Sequence, residues 1–106
     1  MCIKITKERL IQKALEHIEN HLTAEIDVHA LSKQVGYSRF HFQRIFRKVT
    51  GRSVSAYVSE RRMTESAKTL IRTDIRIIDL AILYHFQSQE AFTRAFKKIY
   101  LMTPGL

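Results

Sequence analysis

Two stretches of this 106-residue chain repeat one pattern fifty residues apart. The first, SRFHFQRIFRKVTG, starts at Ser38, and the second, SQEAFTRAFKKIY, starts at Ser88. Ser38 and Ser88, Phe42 and Phe92, Arg44 and Arg94, Phe46 and Phe96, and Lys48 and Lys98 all match at a constant offset of 50. An internal repeat constrains architecture more tightly than composition does, because each copy has to fold as the same unit. Two copies are too few to stack into a solenoid. They suit a small protein that carries one binding motif twice.

Three Gly and one Pro leave little material for hairpins, and apolar residues recur with a helical period nearly throughout. Thr6 can cap a first helix whose Leu10, Ile11, Ala14, Leu15, Ile18 and Leu22 form one stripe. Asp27 is placed to cap a short second helix over 28–35, and Gly36 follows, where a positive φ would end it. Ser38 then caps a third helix that stops at Gly51. Helix, tight turn, helix is the layout of a helix-turn-helix unit. Ser53 caps a longer fourth helix over 54–71, roughly 27 Å long at about 1.5 Å per residue. A fifth helix covers 77–84, and a turn at 85–87 leads to Ser88, cap of the sixth. Thr103 and Pro104 read as the start of a seventh helix that the chain ends too soon to form. The predicted fold is therefore all-α. It has two helix-turn-helix subdomains, at about 27–51 and 76–100, joined by a long linker helix at about 53–71.

Helical spacing separates two faces on each repeat helix. Phe42, Ile45, Phe46 and Val49 lie at i, i+3, i+4 and i+7 and are predicted to be core, as are Phe92, Ala95, Phe96 and Ile99. Phe40, Gln43, Arg44 and Arg47, and in the second copy Glu90, Thr93, Arg94 and Lys97, face the other way. Those outward sets suit a DNA major groove, which admits one helix. Arg can bond guanine O6 and N7 with two donors, Gln can pair with adenine, and Thr or an aromatic ring can touch a thymine methyl. Arg39, Arg47, Lys48, Lys97 and Lys98 are better placed for phosphates, which supply affinity rather than sequence choice. Ser38 and Ser88 mark helix N-termini, which also bind phosphate oxygens.

The charge agrees with an acidic partner. The net charge is +8, and residues 28–62 hold eight Lys/Arg against the single acid Glu60. Residues 1–27 hold four basic residues against five acids. Nucleic acid is the first partner such an excess predicts, an anionic membrane the second. Cys2 is the only cysteine, so no intrachain disulfide can form and a reducing cytosol fits. The first residues lack the apolar run of a signal peptide, and no apolar run approaches membrane-spanning length. A cytoplasmic protein is expected.

The segment HALSKQVGYSRFHFQRIFRKVTG, followed by LAILYHFQSQEAFTRAFKKIYLMTP, resembles the AraC/XylS family of bacterial transcription activators, most closely its MarA/SoxS/Rob subgroup. The likeness runs from the first helix to Pro104. It implies two recognition helices in successive major grooves, held apart by the linker helix of one monomer. It also implies base contacts from Phe40, Gln43 and Arg44, and from Gln89, Glu90, Thr93 and Arg94; Gln89 is the one addition to the outward faces above. The chain departs from the family pattern at three positions. Phe40 stands where the subgroup usually has Trp, His85 takes a turn position that is mostly Gly, and Glu90 replaces Gln. The family's usual final Tyr-Arg segment is also absent, which suits a piece cut from a longer protein with a ligand-binding domain downstream.

Rival readings are weaker. His17 and His21 are four apart, but HIENH is not the HExxH zinc pattern and no third ligand is placed by the sequence, so no metal is assigned. No nucleophile, glycine-rich loop or paired acid–base motif supports an enzyme, and no cofactor is implied. Only Phe40 could stack on unpaired RNA bases, and the apolar stripes are needed for the core rather than a membrane surface. The more serious alternative is a protein-interaction module docking on RNA polymerase, with the acidic stretch at 16–27 as its surface. That contact is compatible with binding double-stranded promoter DNA.

Overall fold

The computed structural model of the protein describes residues 6–105, so Cys2, the other residues before Thr6 and Leu106 fall outside it. The described residues form six α-helices and no strand: α1 Lys7–Asn20, α2 Val28–Gln34, α3 Arg39–Thr50, α4 Val54–Arg72, α5 Ile77–Leu83 and α6 Gln89–Tyr100. Pro104 and Gly105 make a turn rather than the start of a seventh helix.

Side-chain caps set most of the helix starts, because the first amides of a helix have no partner within it. Thr6 Oγ1 accepts from the Arg9 amide at 3.2 Å, and Asp27 Oδ1 from the His29 amide at 2.9 Å. Ser38 Oγ accepts from His41 at 3.1 Å, Ser53 Oγ from Ala56 at 3.1 Å, and Ser88 Oγ from Ala91 at 3.0 Å. The exception is α5, whose N-cap position is Arg76 with no capping bond. Asp79 in its first turn instead pairs with Arg76 at 3.1 Å, placing a carboxylate near the positive end of the helix.

The chain forms two compact units. One gathers the chain up to His21 with Ile26–Val58, the other Leu22–Glu25 with everything from Ser59 onward. In the first, Ile11, Ala14 and Ile18 of α1, Leu31 of α2, Phe42, Ile45 and Phe46 of α3, and Val54 and Val58 are buried. Phe46 lies between Phe42, at 5.8 Å, and the edge of Tyr57, at 5.7 Å between ring centroids. In the second, Met63 and Ala67 of α4, Leu80, Ala81 and Tyr84, and Phe92 and Phe96 of α6 are buried. The ring of Phe86 packs edge-on to Phe92 at 5.0 Å.

Leu22 does not belong to α1, as the stripe predicted. The helix ends at Asn20, and Leu22 is buried with the second unit. The short segment around it is held by side chains far along the chain. The Arg62 guanidinium donates from Nε to the Leu22 carbonyl at 2.9 Å and from a terminal nitrogen to the Ala24 carbonyl at 2.7 Å. His85 Nε2 lies 3.0 Å from the Thr23 carbonyl; a carbonyl only accepts, so this nitrogen carries the proton. His85 itself sits at φ 61 in the turn after α5, where Gly36 sits at φ 79 in the first unit. A left-handed non-glycine residue costs on the order of 1 kcal/mol, which the bond to Thr23 offsets.

The two helix-turn-helix units are not copies at a single offset. α2 and α5 start 49 residues apart, while α3 and α6 start 50 apart. The second turn is one residue longer, with His85, Phe86 and Gln87 standing where the first has Gly36 and Tyr37. Inside both turns the hydrogen bonds correspond: Gly36 to Lys33 and Tyr37 to Ser32, then His85 to Ile82 and Phe86 to Ala81. Ser32 and Ala81, both buried, are the small residues at the matching helix position.

Candidate nucleic-acid interface

Each second helix of the pair is built to be held by one face and open on the other. On α3, Phe42 and Phe46 have no exposed surface and Ile45 almost none, while Arg39, Phe40, Gln43, Arg44, Arg47 and Lys48 are exposed. No acidic residue lies on α3. On α6, Phe92 and Phe96 are buried and Gln89, Glu90, Arg94, Lys97 and Lys98 are exposed. Thr93 is half-buried, as are Ala95 and the capping Ser88, whereas Ser38 is exposed.

Two residues assigned to the core stripe are not core. Val49 is 37% exposed and Ile99 is 52% exposed. Both lie in the last turn of their helix, where α3 ends at Gly51 and α6 at Leu101, each in the left-handed conformation. The chain turns away there, so little remains to cover the seventh position of the stripe.

Among the described residues, one contact joins outward side chains of α3. The Arg44 guanidinium stands 6.0 Å from the centroid of the Phe40 ring, at the outer range of a cation–π contact. Glu90 and Arg94 are spaced for a helix ion pair, yet none forms between them among the described residues. An exposed pair at that spacing is worth only about 0.3–0.5 kcal/mol, too little to fix two solvated side chains.

The basic excess at 28–62 is partly spent inside the protein. Arg62 holds the backbone at Leu22 and Ala24, and its burial lowers the guanidinium pKa. Arg61 pairs with Glu65 at 2.7 Å, and Lys68 approaches the same carboxylate at 3.2 Å. Hydrogen bonds from Arg61 and Lys68 hold the Glu65 carboxyl below its usual pKa. Within that segment Lys33 of α2 and Arg39, Arg44, Arg47 and Lys48 of α3 stay exposed.

His17 and His21 stack on each other at 4.1 Å, with His21 Nδ1 donating to the His17 carbonyl at 2.7 Å. Among the described residues no three His, Cys, Asp or Glu side chains gather as metal ligands. No helix among them is long and apolar enough to cross a membrane.

Paired helix-turn-helix units, each presenting a cationic helix face, define a double helix-turn-helix protein. Residues 31–106 match the helix-turn-helix domain family, and the chain belongs to the AraC-type helix-turn-helix transcriptional regulators. It is 48% identical over 98 residues to an uncharacterized HTH-type transcriptional regulator, YbfP of Bacillus subtilis, covering 92% of this chain and 33% of that protein. It is 41% identical to the transcriptional regulator Rob of Salmonella typhimurium, covering 92% and 34%. To the HTH-type transcriptional activator AarP of Providencia stuartii it is 36% identical, covering 92% and 72%. The chain thus spans about a third of YbfP and Rob. The fold matches the DNA-binding domain of AdpA, solved with a target DNA, with a TM-score of 0.81 at 23% identity over 90% of this chain and 86% of that one.

Proposed function

We propose that this chain is the DNA-reading part of a transcription activator, and that α3 and α6 each enter a major groove of double-stranded promoter DNA. The observation that carries the reading is the doubled arrangement: a short helix, a tight turn, then a serine-capped helix with one aromatic face buried and the other lined with exposed donors. Arg44 and Arg94 suit guanine, Gln43 and Gln89 adenine, and Phe40 and Thr93 a thymine methyl. Glu90 suits the amino group of cytosine, the one base edge in the groove that a carboxylate matches. Arg39, Arg47, Lys48, Lys97 and Lys98 anchor phosphates, with the helix N-termini at Ser38 and Ser88 adding amide donors.

Both readers lie on one chain, so a monomer binds an asymmetric site of about 20 bp, two helical turns. The similarity to the transcriptional activator AarP and to the AdpA domain solved with its target DNA supports this reading, as does the excess of basic over acidic residues. An activator also contacts RNA polymerase. Glu16 and Glu19 line a hollow of about 260 Å³ with Gln12, Leu15, Asn20 and Tyr57, an acidic spot suited to a basic protein surface. Such a regulator acts in the cytoplasm.

Selection of bound sites from a random duplex library, followed by sedimentation of the complex, tests the proposal. One protein per asymmetric site is expected. Two proteins on a palindrome would overturn the monomer reading. No enrichment of any sequence, with RNA polymerase still bound, would favour the protein-interaction module.

A further inference from the structure

We infer that His17 and His21 form a two-imidazole site for a divalent transition-metal ion, Cu2+ before Ni2+ or Zn2+, at the C-terminal end of α1. The inference stands apart from the reading of α3 and α6. Residues four apart on a helix share a face; His17 lies in the last turn of α1, and His21 is its C-cap. Their rings face each other with centroids 4.1 Å apart and planes inclined by only 12°. His21 Nδ1 lies 2.7 Å from the His17 carbonyl, and a carbonyl only accepts, so this nitrogen carries the proton. In the neutral ring Nε2 then keeps its lone pair, and a carbonyl bond of this kind is a common way of orienting metal-binding histidines. The His17 ring has no hydrogen bond among the described residues, and the stack on His21 is its ring contact. Elsewhere, His41 packs on Tyr37 at 4.6 Å and His85 donates to Thr23. No other pair of imidazoles is in contact among the described residues.

Metal–imidazole bonds of about 2.0–2.1 Å draw two donor nitrogens to about 3 Å from each other. Rings already stacked at 4.1 Å need only tilt their edges together to reach that span. The helix end adds to the attraction, because its free carbonyls carry partial negative charge, which favours a cation. Lys13, one turn before His17, is the opposing charge on that face. No third His, Cys, Asp or Glu joins the pair among the described residues, so water completes the coordination shell. Such an ion exchanges freely, unlike zinc enclosed by four protein ligands. Imidazole nitrogen suits Cu2+, Ni2+ and Zn2+, and for one set of donors affinity peaks at Cu2+. Mg2+ and Ca2+ require oxygen donors and do not compete. Chelation across the last turn also holds that turn closed. Since α1 supplies Ile11, Ala14 and Ile18 to the core of the first unit, the bound ion stabilises the folded chain.

The test uses the 106-residue chain carrying Cys2→Ser, which removes a competing thiol. It is titrated with the chlorides of Cu2+, Ni2+ and Zn2+ at about pH 7.5, where imidazole is mostly neutral. Calorimetry should show one ion per chain, bound most tightly as Cu2+. Cu2+ should broaden the ring resonances of His17 and His21 and spare those of His29, His41 and His85. His17→Asn and His21→Asn should each weaken Cu2+ binding at least about tenfold, the loss of a chelate, and the two losses should not add. Lys13→His, at an exposed position one turn earlier, removes the opposing charge and offers a third imidazole. It should tighten binding at least about tenfold. Ni2+ at about ten times its Kd should raise the melting temperature of the parent by about 5 °C, and should not raise that of His21→Asn. Binding by His17→Asn and His21→Asn equal to that of the parent would overturn the inference. So would broadening centred on other histidines, or no preference for Cu2+ over Mg2+.

Discussion

Individual side chains on α3 and α6 divide by what they can recognise. Arg44→Ala or Arg94→Ala should cost about 1–3 kcal/mol of binding and relax preference at particular base pairs. Lys48→Ala or Lys98→Ala should weaken all duplexes alike and reduce the slope of log affinity against log salt by about one. Binding titrations on matched and mismatched duplexes at two salt concentrations separate these roles. If Arg44→Ala weakened every sequence equally, it would be a phosphate anchor instead. Glu90 is the one acid on either reading face. It is exposed and forms no ion pair with Arg94 among the described residues, and a carboxylate accepts but cannot donate. Glu90→Gln should strengthen binding to most sites by removing repulsion from phosphate. A loss confined to sites with cytosine would show direct readout.

At the scale of helices, α3 and α6 are each held on their buried face by an aromatic pair. Phe42→Ala or Phe92→Ala should cost about 3–5 kcal/mol, because both rings are fully buried. That is a large part of the roughly 5–15 kcal/mol available to a small domain. Val49→Ala, at an exposed position, should stay near 0.5 kcal/mol. Urea denaturation distinguishes the two classes, and equal costs would mean that the last turn of α3 is as well packed as its middle. A pH effect belongs to α1. Burial, and secondarily the neighbouring His21, hold the His17 imidazole below its ordinary 6.5. The folded state disfavours the protonated ring, so this contribution is complete above 6.5 and is lost as the pH falls through the lower folded value. His17→Gln should flatten the fall in melting temperature across that acidic interval. A decline of unchanged steepness would assign it to other groups.

At the scale of the whole chain, the segment Leu22–Glu25 departs from its sequence neighbours and joins the second unit. Arg62 makes that possible by satisfying two of its carbonyls with one planar fork. Arg62→Lys offers a single ammonium, which cannot reach both acceptors in that geometry, and should cost about 1–3 kcal/mol. Lys68→Met, removing a half-exposed partner of Glu65, should cost less than about 1 kcal/mol. Hydrogen exchange at residues 22–25 should rise in Arg62→Lys alone; unaltered protection there would show that the loop holds itself.

Local order was legible because it is decided within one or two turns of chain. Helical period, the serine and aspartate caps, and the glycines at 36 and 51 determined six helices, their sequence of starts and stops, and the buried faces of α3 and α6. The fifty-residue repeat determined that the fold is doubled. Tertiary structure alone decided the rest. Val49 and Ile99 keep the helical spacing of core residues, but burial depends on what covers them, and the helix ends leave them exposed. Arg61 and Arg62 count as surface charge in a sequence, yet their partners include a residue one turn away and carbonyls some forty residues back. The one-residue difference between the two turns was hidden because the matched residues all lay beyond it. Composition records that a guanidinium, a carbonyl or a ring is present; only the folded chain decides which of them meet.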